Sequence, residues 1–172
     1  MNTSLRLAIA ALLCVTAVGC AKKTKPGGGD TSGGSNVQTP DTGRPDNGGE
    51  YTRESLNTDS CLRQRVIYFD LDKTEIKGEF QAQIACHAKF IRQFPDYNVT
   101  LEGNADERGS REYNLGLGER RGNAVQSALS SAGAPSNQLN VVSYGEERPT
   151  CKDHSESCWA KNRRVELVYT TK

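Results

Sequence analysis

Residues 99–132 read VTLEGNADERGSREYNLGLGERRGNAVQSALSSA. Val99 and Leu101 alternate with Thr100 and Glu102, the period of a half-buried strand. The polar run Gly103-Asn104-Ala105-Asp106-Glu107-Arg108-Gly109-Ser110 follows, with glycines bracketing a tight turn. From Ser110 to Ala132 the period lengthens to that of a helix, with Leu117, Ala124, Ala128 and Leu129 as its apolar residues and Gly133 suited to its C-terminal cap. A strand, a turn and a helix in this order open a layered α and β domain.

The pattern continues on both sides. Arg65-Val66-Ile67-Tyr68-Phe69 is a β-branched and aromatic run, read as a strand. Phe80, Ile84, His87, Ile91 and Phe94 recur in steps of three and four, one face of a helix that Pro95 stops. Leu139 to Tyr144 is a third strand, and Arg164 to Thr170 alternates as a fourth. The expected fold is α+β, alternating βαβαββ. It is a two-layer sandwich of two main helices on one mixed four-stranded sheet, with the strand order left open.

Residues 22–50, KKTKPGGGDTSGGSNVQTPDTGRPDNGGE, contain almost no apolar side chain and cannot offset the entropy of ordering. The chain has 172 residues. The reading is a signal peptide at 1–19, a lipidated N-terminus with a flexible Gly-rich tether at 20–58, and a folded domain at 59–172. The first 20 residues carry one charge, Arg6, then an apolar run from Leu7 to Val18, too short to span a bilayer. Ala17-Val18-Gly19-Cys20 resembles a bacterial lipobox, which implies acylation of Cys20. No Asp follows Cys20, and the outer membrane is preferred over the inner. A tether of this length has an r.m.s. span of roughly 30 Å.

The formal charge of +1 falls to zero once Arg6 is removed with the leader. A neutral domain has no general electrostatic drive towards nucleic acid, so none is expected as a partner. Two histidines are present, and His87 sits in an apolar helix face, the place of a satisfied core residue. No nucleophile or metallohydrolase motif occurs. Catalysis, cofactors and metals are not expected.

The chemistry concentrates in three places. Asp106 lies in the polar turn before a helix N-terminus; it either caps that turn or faces a ligand. Arg121 shares a helical stripe with Leu117, whereas its neighbour Arg120 falls on the solvated face. A partly buried guanidinium needs a partner. Spacing supports equally an internal bridge to Asp106 or Asp72 and a clamp on a ligand carboxylate. Asp72 ends the first strand segment and meets Asp106 if their strands are neighbours. Two acids and an Arg suit a zwitterion.

The stretches YFDLDKTEI, GNADERGSREYNLGLGERRGNAV, VSYGEERP and KNRRVELVY, in this order, resemble the peptidoglycan-associated lipoprotein family of the Tol–Pal system. The domain from about Cys61 to Tyr169 is similar to the C-terminal domain of outer-membrane protein A. The resemblance implies an outer-membrane lipoprotein with its domain in the periplasm. It implies non-covalent binding of the diaminopimelate-containing stem peptide of peptidoglycan and a role in outer-membrane constriction at division. Asp106 would bind the ammonium end of diaminopimelate and Arg121 its carboxylate, with Leu71 and Asp72 lining the pocket and Leu117 giving apolar contact. Arg163 is a weaker carry-over, with a solvated strand-edge charge as its alternative. The implied partners are peptidoglycan and the periplasmic propeller protein of the Tol system.

Four cysteines remain after Cys20, and an oxidising compartment favours pairing. Cys151 and Cys158 bracket a short loop, leaving Cys61 with Cys86. A metal site using His154 between Cys151 and Cys158 is the alternative.

Overall fold

The computed structural model describes residues 50–172. The leader, Cys20 and the tether up to residue 49 lie outside the described residues. Eight elements follow in order: α1 (Ser55–Thr58), β1 (Val66–Tyr68), α2 (Gln81–Gln93), β2 (Tyr97–Asn104), α3 (Arg111–Ser131), β3 (Leu139–Gly145), α4 (Glu156–Asn162) and β4 (Arg164–Thr171). Single 3₁₀ turns at Gly78–Phe80 and Ser136–Gln138 lead into α2 and β3.

The sheet order is β1-β4-β2-β3. β4 runs antiparallel to both of its neighbours, and β2 pairs in parallel with β3. The α+β sandwich read from the pattern is therefore the fold. In register, Val99 faces Tyr169 and Leu101 faces Leu167. Their alternation puts Ile67, Val99, Leu101, Val165 and Leu167 on one buried face, packed with Ile84, Ala88 and Ile91 of α2 and Val125 and Leu129 of α3. Each fully buried aliphatic side chain contributes roughly 2 kcal/mol.

Two glycine contacts set how closely α3 lies on the sheet. A Cβ on Gly103 would overlap the Gly118 carbonyl, and one on Gly118 would stand 2.8 Å from the Gly103 oxygen. The buried stripe of α3 is Asn114, Leu117, Gly118, Arg121, Gly122, Val125 and Leu129. Val125, rather than the Ala124 of the sequence reading, is its core residue, because the stripe drifts with the 3.6-residue turn.

Two features depart from the expectations. The packing begins before Asp59: Leu56 is buried with Leu62 and Phe90, and Tyr51 donates its N–H to Gln93 Oε1 at 2.8 Å. Residues 51–58 thus belong with the fold and not with the tether. Between Glu156 and Asn162 an extra helix, α4, closes the loop before β4; with only Cys158 and Asn162 buried, it shows no periodic apolar signal.

His87 is fully buried and satisfied, as its position predicts. Its Nε2–H donates to the Gln64 carbonyl at 2.9 Å, and Nδ1 accepts from the Tyr169 hydroxyl at 2.7 Å. Cys61 is bonded to Cys86 and Cys151 to Cys158, the two expected pairings. With both sulfurs of the short loop joined, His154 has no thiolates to share a metal with; its Nδ1 meets Glu107 instead.

Candidate functional site

β1 and β2 end at the same edge of the sheet where β4 begins, and α3 starts above it. The turn after β1 supplies Leu71 and Asp72. The turn after β2 supplies Asp106, Arg108 and Gly109. Arg163 precedes β4, and α3 contributes Tyr113, Asn114, Leu117 and Arg121. Together these residues line a pocket of about 330 Å³. The six residues that the resemblance assigned to the ligand, Leu71, Asp72, Asp106, Leu117, Arg121 and Arg163, are all on its wall. Asp72 and Asp106 do not come from neighbouring strands, because β4 lies between β1 and β2. That insertion is what makes Arg163 central.

Arg163 is buried, contrary to the solvated strand-edge alternative. Its Nε donates to the Phe69 carbonyl at 3.1 Å, Nη1 to Asp106 Oδ2 at 3.1 Å, and Nη2 to Glu156 Oε1 at 2.8 Å. All three nitrogens are engaged, so it fixes the backbone of β1 to the carboxylate beyond β2.

Arg121 makes neither internal ion pair that its spacing allowed. It is fully buried and donates to three backbone carbonyls: Lys73 at 2.9 Å, Asn104 at 2.9 Å and Asp70 at 3.0 Å. Its guanidinium lies 5.2 Å from the Phe69 ring centroid. Burial, reinforced by the nearby Arg163 charge, pushes its pKa down to about 10, which still leaves it charged at neutral pH. Five N–H groups minus three donated leaves two without a partner among the described residues.

Asp106 is 3% exposed. Its Oδ1 accepts from the Arg108 N–H and Nε, both at 3.1 Å; Oδ2 accepts from Arg108 Nη2 at 2.7 Å and Arg163 Nη1 at 3.1 Å. It therefore closes the turn, while the helix cap itself is Ser110, whose Oγ accepts from the Tyr113 N–H. Burial alone would raise the Asp106 pKa, but the hydrogen bonds from Arg108 and Arg163 outweigh it and hold the carboxyl below its ordinary value.

Asp72 takes a positive φ of 56°, a conformation that Asp tolerates better than most side chains, and accepts a hydrogen bond from the Tyr113 hydroxyl. Leu71 is half exposed beside it. Tyr113 and Arg108 were not picked out in the sequence. Tyr113 is two helical steps of four before Arg121, through Leu117, so the same stripe pointed to it. Arg108 stood inside the quoted turn.

Chemically, the pocket sets two carboxylates against three guanidinia around apolar walls from Leu71 and Leu117. Such a surface suits a small group carrying both signs of charge.

Residues 68–163 match the OmpA family. The peptidoglycan-associated lipoprotein of Pseudomonas putida is 43% identical over 163 residues, covering 94% of this chain and 95% of the relative. That of Pseudomonas aeruginosa is 44% identical over 165 residues, covering 94% and 95%. Among solved structures, the peptidoglycan-associated lipoprotein from Burkholderia pseudomallei is similar with a TM-score of 0.66 at 40% identity, covering 67% of this chain and 98% of that one. The C-terminal domain of Helicobacter pylori MotB is similar with a TM-score of 0.58 at 26% identity, covering 62% and 84%. With relatives matched along nearly their whole length and an OmpA-type fold around the pocket, the chain belongs to the peptidoglycan-associated lipoprotein family.

Proposed function

We propose that this chain links the outer membrane to the cell wall by binding the diaminopimelate-containing stem peptide of peptidoglycan in the pocket under α3, without altering it chemically. The observation that carries this reading is the convergence of Asp106 and Asp72 with Arg121 on one pocket, with Leu71 and Leu117 as its apolar walls. A diaminopimelate side chain ends in an ammonium and a carboxylate on one carbon. Its ammonium goes to Asp106, its carboxylate to Arg121, and its methylenes lie against Leu71 and Leu117. Arg163 holds Asp106 in place.

Asp106, Arg108 and Arg163 are committed to ion pairs, Arg121 to backbone carbonyls and Asp72 to the Tyr113 hydroxyl, and His87 is shut in the core. This supports binding rather than catalysis. Lipidation at Cys20 anchors the chain to the outer membrane with its domain in the periplasm. The periplasmic propeller protein of the Tol system is its protein partner, and the pair acts in envelope integrity and constriction at division. Among the described residues no helix is long and apolar enough to cross a membrane.

Calorimetric titration with the tripeptide L-Ala–D-Glu–meso-diaminopimelate, beside the lysine analogue, tests the site. The diaminopimelate peptide is expected to bind and the lysine peptide, lacking the second carboxylate, to bind at least tenfold more weakly. Equal affinity for the two would remove the basis for assigning Arg121 to the carboxylate. Capture of the purified Tol propeller protein by the immobilised chain tests the partner; no capture would remove it.

A further inference from the structure

In the free pocket Asp106 presents no open acceptor to an incoming ammonium. All four acceptor positions of the Asp106 carboxylate are filled, and Arg108 fills three of them. Two of those three come from its side chain. The Asp106 bonds also differ in how firmly their donors are held. The Arg163 side chain is 6% exposed and spends its other nitrogens on Phe69 and Glu156. The Arg108 side chain is 31% exposed.

Arg108 is also held by contacts that coexist with its bonds to the carboxylate. Its guanidinium lies 4.2 Å from the Trp159 ring centroid, and Nη1 is 3.3 Å from Glu156 Oε2. The indole is itself fixed: Nε1–H donates to Glu107 Oε1 at 2.7 Å. Trp159 and Glu156 both lie on α4, whose first turn is tied back by the Cys151–Cys158 bond.

We propose that Arg108 is a displaceable counter-ion that determines specificity: it covers Asp106 in the free pocket, and a ligand ammonium displaces it from Asp106, leaving it held by the contacts it already makes with Trp159 and Glu156. This rests on the reading of the pocket as a stem-peptide site. The exchange replaces one charge-assisted hydrogen-bonded cation on Asp106 with another, so a cationic ligand group meets little net penalty. A neutral or anionic group has nothing to offer the carboxylate and leaves Arg108 in place. The ammonium is thereby selected by competition, not merely by attraction.

The chain contains one tryptophan, so Trp159 emission reports directly on where Arg108 stands. The diaminopimelate tripeptide and its counterpart acetylated on the free side-chain amine are titrated into wild type, Arg108→Met and Trp159→Leu proteins, by calorimetry and, where the indole is present, by fluorescence. Wild-type emission is expected to shift on saturation with the tripeptide and not with the acetylated peptide. Arg108→Met is expected to bind the tripeptide about two- to fivefold more tightly, the range of a partly exposed ion pair. Trp159→Leu is expected to bind it more weakly, because Arg108 then loses the ring contact that would hold it once it leaves Asp106. Opposite signs from two adjacent residues are not what simple loosening of the turn would give. Weaker or unchanged binding by Arg108→Met, or wild-type emission that does not move at saturation, would overturn the proposal. Failure of wild type to bind the tripeptide at all would overturn the stem-peptide reading beneath it, and this step with it.

Discussion

Replacing Arg121 with Lys keeps the charge and should nevertheless destabilise the domain strongly. The guanidinium donates in three directions at once, to Lys73 O, Asn104 O and Asp70 O, at 2.9–3.0 Å. These carbonyls belong to the turn after β1 and the end of β2, strands that are not neighbours in the sheet. A lysine ammonium is a single point and cannot reach all three. Two of the three carbonyls lose their donor, at about 1–3 kcal/mol for the buried Asn104 carbonyl and less for those of Asp70 and Lys73, which belong to exposed residues. The loss of the planar contact with Phe69 adds to this. A total of about 2–4 kcal/mol is expected, a large share of the roughly 5–15 kcal/mol that holds a domain together. Urea denaturation with the disulfides intact measures it. The midpoint should fall with the slope unchanged, and stem-peptide binding should be lost in the same variant. A loss below about 1 kcal/mol would refute the claim that Arg121 pins the two strand ends, and would return it to the role of a pure ligand clamp.

Three further outcomes follow from buried groups and close contacts. Burial pushes the His87 pKa down from 6.5 to about 4, so between those values the unfolded chain takes up a proton that the folded chain excludes. Stability from this group is complete above about pH 6.5 and falls as pH drops towards 4, with about 2 kcal/mol gone by pH 5; His87→Gln should flatten that part of a melting-against-pH curve, and an unchanged slope would contradict it. The Cys61–Cys86 bond closes a longer loop than Cys151–Cys158, with sequence separations of 25 and 7. Removing each pair by Ser substitution should cost about 3.5 and 2.5 kcal/mol in that order by the loop-entropy relation, read from denaturation midpoints; the reverse order would show that native strain or residual structure governs instead. Gly118→Ala puts a methyl against Ser143 Oγ and the Gly103 carbonyl, so a loss of about 3 kcal/mol is expected. Native stability in that variant would mean that α3 can lift off β2 without penalty.

Much of the fold was legible because its signals are periodic. The alternation of Val99 with Leu101 and of Val165 with Leu167 survives as the buried face of β2 and β4. The stripe through Leu117 and Arg121 survives as the inner face of α3. What periodicity does not carry is which strand lies beside which. Arg163 was read as a weak candidate because nothing local says that β4 inserts between β1 and β2. The partners of Arg121 were also hidden, since backbone carbonyls have no letter in a sequence. The segment 51–58 was read as tether because it holds few apolar residues, yet Leu56 and Tyr51 suffice to dock it against α2.

The three guanidinia of the pocket are graded by how much freedom their bonds leave them. Arg121 spends its donors on backbone and holds two strand ends apart at a fixed width. Arg163 spends one on backbone and two on carboxylates, so it positions Asp106 from below. Arg108 touches only the turn's own acid, an exposed Glu and an indole face. A site built in this way ties its affinity to its stability at Arg121 and Arg163 and separates them at Arg108. Substitutions at the first two should change melting and binding together. Only at Arg108 can the pocket change its preference while the fold stays intact, so divergence in ligand choice should be sought in the turn and not in the buried arginines.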